Sequence, residues 1–207
     1  SNVPDGDDTT ALVTALRRLG LDVVHDRDNR TADTVTVTGR GTDWPAVTLD
    51  AELAGTTSRF LTALAALGSV PITIDGGAPL RRRPFAPLHE ALRAIGVEVD
   101  AHDGHLPATI TGPPTGGDAS IRGDVSSQFI SALMMIGPML PGGLRLQLTS
   151  ELVSAPYVDL TAAAMRWFGV ERPSFDEATI TVPVGRYQAA DVTIEPDASS
   201  ASYPLAI

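Results

Sequence analysis

The chain has 207 residues, no cysteine, and 5% aromatic residues within a hydrophobic fraction of 43%. That length holds one large domain or two small ones around a core of Leu, Val, Ile and Ala, and the absence of cysteine excludes disulfides, thiolate metal sites and a cysteine nucleophile. Fifteen basic residues against 25 acidic ones give a net charge of −10, which argues against nucleic acid or an anionic membrane surface as partner. No apolar run reaches the roughly 18 residues of a membrane span. The N-terminus also lacks the apolar stretch of a signal peptide, so a cytoplasmic location is expected.

In chain order, Leu12, Leu16 and Leu19 mark the apolar face of a first helix, which Gly20 stops. Two strands, Val35–Thr38 and around Val47–Leu49, lead to a helix opened by Ala54-Gly55-Thr56-Thr57-Ser58. Strand Ile72–Ile74 precedes a helix carrying Phe85, Leu88, Leu92 and Ile95, stopped by Gly96. Strands Ala108–Thr111 and Ala119–Ile121 follow, then an almost wholly apolar helix that starts near Ser126 and ends at Pro138. Strand Leu144–Leu148 leads to a helix with Leu160, Ala164 and Phe168 on one face, stopped by Gly169. The remaining segments are strand Thr179–Val182, a strand around Val192–Ile194, and a last helix start at Asp197-Ala198-Ser199-Ser200-Ala201.

This order is an internal repeat. Leu16-Arg17-Arg18-Leu19-Gly20 recurs as Leu92-Arg93-Ala94-Ile95-Gly96 and as Met165-Arg166-Trp167-Phe168-Gly169, with the glycines 76 and 73 residues apart. Taking Thr57, Ser127 and Ser200 as equivalent positions of a second marker gives spacings of 70 and 73. The expected fold is therefore α/β (α+β): three βαβαββ-type units, permuted as strand–helix–strand–strand–strand–helix. They span about 1–74, 75–148 and 149–207 and pack with pseudo-threefold symmetry, apolar helices inside and sheets outside. The first unit lacks its opening strand and the third stops inside its second helix, so the sequence reads as one domain of a longer protein.

Five segments carry a family resemblance: Leu53–Arg59, Leu80–Pro84, Asp124–Phe129, Leu152–Tyr157 and Asp197–Tyr203. In this order they resemble the N-terminal half of the bacterial 3-phosphoshikimate 1-carboxyvinyltransferase (EPSP synthase) family. The resemblance implies one domain of the enolpyruvyl transferase fold. It further implies transfer of the enolpyruvyl group of phosphoenolpyruvate to the 5-hydroxyl of shikimate 3-phosphate, with release of phosphate and without a cofactor. The active site would lie in a cleft shared with the C-terminal half of the same enzyme. The general base and further phosphate-gripping cations belong to that half, so no catalytic residue is expected in this chain, and the chain alone is expected to be inactive.

Ser126 and Ser127 read as a helix N-cap, and hydroxyls with free amides at the positive end of a helix also make a phosphate site. By resemblance, Ser126, Ser127 and Ser154 hold the 3-phosphate, Gln128 reaches both substrates, and Tyr157 packs on the shikimate ring or bonds its hydroxyls. Tyr157 also fits as a core residue at a helix start, and Ser154 as another cap. The resemblance also implies that Arg83 grips phosphoenolpyruvate, for which a planar guanidinium is suited, while Arg81 and Arg82 read as a solvated face. It implies that Gly55 and Thr56 lie where the chain approaches phosphoenolpyruvate, and a Cβ on Gly55 would intrude there. Arg59 matches a family position and braces the site. Leu53 departs from the asparagine common at its position.

No metal site is expected. His102-Asp103-Gly104-His105 reads as a hairpin turn, and Asp5, Asp7 and Asp8 lack calcium-loop spacing and suit a helix start. The related UDP-N-acetylglucosamine enolpyruvyl transferases share the repeats, but many carry a cysteine before the Arg-Pro pair. A non-catalytic, anion-binding repeat module is the other alternative.

Overall fold

The computed structural model describes residues 3–4, 6–26, 33–39 and 41–195. Among them lie six helices, α1 (Asp7–Arg18), α2 (Gly55–Ala65), α3 (Ala78–Arg81), α4 (Ala86–Ala94), α5 (Ser127–Ile136) and α6 (Ala155–Trp167). Ten strands are formed: β1 (Asp22–Asp26), β2 (Thr34–Thr38), β3 (Val47–Asp50), β4 (Ile72–Asp75), β5 (Glu98–Ala101), β6 (Ala108–Thr111), β7 (Asp118–Ile121), β8 (Leu144–Leu148), β9 (Ser174–Asp176) and β10 (Thr179–Val182). Pro138 lies in a 3₁₀ turn that continues α5 over Gly137–Met139.

Two four-stranded sheets share one pattern. In the first, β3 runs parallel to β4 and the order is β3-β4-β6-β5; in the second, β7 runs parallel to β8 and the order is β7-β8-β10-β9. The other pairings are antiparallel, with Ile72 opposite Ile110 and Leu144 opposite Val182. A parallel pair needs a crossover, and α2 and α5 supply it. β1 and β2 form a separate antiparallel pair.

The repeated glycines have a physical cause. Gly20, Gly96 and Gly169 sit at φ 84°, 90° and 79°, a left-handed conformation that costs a residue with a Cβ about 1–2 kcal/mol. Each closes its helix in the same way: Gly20 N–H donates to Arg17 O and Leu21 N–H to Leu16 O, and the pattern recurs at Gly96–Val97 and Gly169–Val170. The repeated arginine is also explained. Arg17 Nε donates to Val23 O at 2.9 Å and Arg93 Nη2 to Val99 O at 2.8 Å, tying two of the helices to the strands that follow them.

Leu49, Ile72, Ile74, Leu88, Leu92, Ile110, Phe129, Ile130 and Leu146 belong to one continuous apolar core. All of α5 except Gln128 and Met135 is buried, as its composition requires. Two expectations are corrected. Residues 192–194 form no strand among the described residues. On α6 the buried side chains are Val158, Ala162 and Met165, while Leu160 and Phe168 are 54% and 37% exposed. The 3.6-residue period found an apolar face, but that face lines a groove of about 670 Å³ between α2, α5 and α6. Asp5 and the marker Asp197–Ala201 lie outside the described residues. No described helix is long and apolar enough to cross a membrane.

Candidate functional site

The first turns of α2 and α5 lie side by side. Ser126 caps α5, its hydroxyl accepting from Gln128 N–H at 3.3 Å, and Ser127 is buried as the first helical residue. At α2 the helix begins at Gly55 after Ala54, within the marker, but without the Ser or Thr side-chain cap expected of it. Thr57 instead donates to Asp8 O on α1, and Ser58 to Gly55 O within its own turn. Thr56 faces α5 and accepts a bond from Gln128 Nε2 at 2.9 Å. The other end of that carboxamide, Oε1, accepts a bond from Arg59 Nη1. Gln128 is therefore held at both ends.

Arg59, one turn into α2, is half-buried with its guanidinium carbon 5.1 Å from the Phe129 ring centre and 5.8 Å from that of Phe85. Its Nε is buried without a hydrogen-bond partner. Burial, and secondarily the charge of Arg83, lower its pKa from the ordinary guanidinium value.

Arg83 reaches the same place from the second repeat. Gly77 N–H donates to Glu52 O at 2.7 Å, joining the loop before α3 to the loop before α2. Arg81 does more than face solvent: its Nε and Nη2 bond both carboxylate oxygens of Asp75, at 2.8 and 2.7 Å, and anchor α3 to the end of β4. Arg83, with its backbone N–H on Leu80 O, then projects over Gly55. A Cβ on Gly55 would overlap Arg83 Nη1 and lie 3.6 Å from Arg59 Nη1. What lies close to Gly55 in this structure is the Arg83 guanidinium.

Ser154 precedes α6 in the left-handed region, φ 60° and ψ 42°, with no side-chain cap bond. The cap reading is corrected: the hydroxyl is left for something other than its own helix. Its loop packs on the one before α5, with Val153 N–H on Gly123 O and Asp124 N–H on Ser150 Oγ. The Asp124 carboxyl is held down to about 2 by its bonds from Arg122 and Ser150. Tyr157 is 61% exposed at the mouth of the groove, so the core reading for it is also corrected. Asp103 and Gly104 have φ of 48° and 69°, as a tight hairpin turn requires. Nowhere among the described residues do three His, Asp or Glu side chains converge as metal ligands would.

The structure thus gathers Gly55, Arg83 and Gln128 at one point, and sets Ser126 and Ser127 at the start of α5 and Ser154 just before α6, on loops that pack together. Thr56 and Arg59 complete this network, and the reading of Arg59 as a brace did not foresee its bond to Gln128. The available signal was Arg59 as the one charged residue of α2. Two helix N-termini and two guanidiniums, neither of which pairs with a carboxylate among the described residues, have the electrostatics that suit an anion.

Two solved chains of EPSP synthase from Acinetobacter baumannii share this fold. One superimposes with a TM-score of 0.79 at 22% identity over 97% of this chain and 44% of that one; the other gives 0.72 at 22% identity. Among curated relatives, the 3-phosphoshikimate 1-carboxyvinyltransferase of Pseudomonas syringae pv. tomato is 41% identical over 95% of this chain and 47% of its own length. That of Rhizobium etli gives the same figures, and that of Shewanella sp. (strain ANA-3) is 36% identical over 100% of this chain and 50% of its own. The chain spans about half the length of the curated relatives it matches. The family model for EPSP synthase (3-phosphoshikimate 1-carboxyvinyltransferase) matches residues 1–207, and the chain belongs to that family.

Proposed function

We propose that this chain is the N-terminal half of a cytoplasmic enzyme that transfers the enolpyruvyl group of phosphoenolpyruvate to the 5-hydroxyl of shikimate 3-phosphate. The 5-oxygen bonds C2 of phosphoenolpyruvate, the bond from C2 to the phosphate oxygen breaks, and the hydroxyl proton leaves with phosphate in the net balance. The observation that carries this reading is the junction of α2 and α5, where Gln128 is fixed between Thr56 and Arg59 and Arg83 lies over Gly55.

In this reading Ser126, Ser127 and Ser154 hold the 3-phosphate with the free amides of the α5 start. Tyr157 borders the shikimate ring. Arg83 pairs with phosphoenolpyruvate above Gly55, and Gln128 spans both substrates. Proton transfer falls to the C-terminal half, because acid–base groups must reach the reacting atoms from across a closing cleft. We extend the domain reading likewise to three repeats, the last one truncated, facing that second half.

The test is a turnover assay with both substrates, on the chain alone and on the chain joined to its C-terminal half. Phosphate release by the joined protein and none by the chain alone is the expected result. Turnover by the chain alone overturns the division of labour, and none by a folded joined protein overturns the assignment.

A further inference from the structure

We propose that Arg59 is the positioning residue of this site: its half-buried guanidinium fixes the Gln128 carboxamide without touching substrate. The proposal rests on the functional reading above and deepens it. A carboxamide can flip, exchanging its oxygen and nitrogen. With Arg59 Nη1 on Oε1 and Thr56 Oγ1 on Nε2, only one orientation satisfies both neighbours, since the guanidinium has no acceptor. One Nε2 proton then remains free for a ligand.

The charge of Arg59 acts in the same direction. It is half-buried, stacked by Phe85 and Phe129, and unpaired with any carboxylate among the described residues. The Arg83 guanidinium lies above Gly55, close enough for the two positive charges to repel each other, and neither is neutralised by a carboxylate among the described residues. Such an arrangement is unfavourable when empty and is relieved by an arriving anion. The unpartnered Nε shows that Arg59 is not there to complete the hydrogen bonding of the core. Lysine is a poor replacement, because an ammonium has no planar face for two rings while bonding a carboxamide.

The test uses the full-length protein as wild type, Arg59→Met, Arg59→Lys, Gln128→Ala and the Arg59→Met/Gln128→Ala double variant. Methionine keeps the apolar stem between the rings and removes charge and donor. Expected are a rise of about tenfold in KM for phosphoenolpyruvate in Arg59→Met, the scale of one charge-assisted hydrogen bond, and little rescue by lysine. A further change below twofold is expected when Arg59→Met is added to Gln128→Ala. The melting temperature without ligand should not fall in Arg59→Met, whereas a purely structural role would lower it. Positioning is also read without substrate: the Gln128 side-chain amide NMR signals should lie away from the positions of a free glutamine side chain in wild type and move towards them in Arg59→Met. Unchanged amide signals, independent multiplication of the two substitutions, or an unchanged KM overturns the proposal. Absence of turnover in wild type with the amide result intact would overturn the functional reading instead.

Discussion

Gln128, the second residue of α5, donates to the hydroxyl of Thr56, the second residue of α2, at 2.9 Å. This bond crosses between two repeats and joins the starts of the two inner helices. Thr56→Val leaves the carboxamide N–H without its partner at a half-buried position. A loss of about 1 kcal/mol in stability is expected, read from urea denaturation. Gln128→Ala should weaken both substrates, because the proposed function has this side chain span their two subsites.

Gly55→Ala is expected to be well folded, since the nearest obstacle is the end of a flexible side chain rather than backbone. The methyl must push the Arg83 guanidinium off its position. Steady-state kinetics on the full-length protein should show the KM for phosphoenolpyruvate raised about tenfold or more, with shikimate 3-phosphate little affected. Equal effects on both would contradict the separate placing of the two subsites.

Ser154 gives a case in which stability and binding part company. Its left-handed backbone costs about 1–2 kcal/mol for a residue with a Cβ, and glycine would relieve this while costing about 0.5–1 kcal/mol in chain entropy. Ser154→Gly should therefore leave stability within about 1 kcal/mol or improve it, yet weaken shikimate 3-phosphate several-fold through loss of the hydroxyl. Calorimetry with the ligand, beside a thermal melt, separates the two effects.

The fold was legible wherever local chemistry decided it. The glycines at 20, 96 and 169 announced helix ends because the left-handed turn leaves few alternatives. The all-apolar run from Phe129 announced a buried crossover helix. Periodicity misled on α6, where Leu160 and Phe168 are as apolar as Val158 and Met165 but face the groove. No period of one helix says which of two apolar faces will be covered. Of the site, motif singled out the serines and Arg83 as candidates; the Arg59–Gln128–Thr56 bridge was not legible, because it depends on how helices 69 to 72 residues apart are set side by side. The Ser or Thr cap expected of the second marker does not form at α2, which Gly55 opens.

His89 on α4 is fully buried against Phe85, with ring centres 5.9 Å apart and neither ring nitrogen hydrogen-bonded. Burial, and then the charges of Arg93 and His105, lower its pKa to about 4 from 6.5. The unfolded chain therefore binds the proton first as pH falls. The folded state should lose about 1.4 kcal/mol per pH unit between 6.5 and 4 from this group, with no contribution above 6.5. His89→Phe fills the space without orphaned nitrogens and should flatten that part of the stability profile, measured by urea denaturation at pH 4.5 and 7.

The central claim is that the α5 start holds the 3-phosphate of shikimate 3-phosphate. Its most direct test is calorimetric titration of the full-length protein with shikimate 3-phosphate and with shikimate, in wild type and Ser127→Ala. The account predicts saturable binding of the phosphorylated ligand, at least tenfold weaker binding of shikimate, and a marked loss in Ser127→Ala with melting unchanged. Equal affinity for the two ligands, or full retention of affinity in the variant, would contradict it.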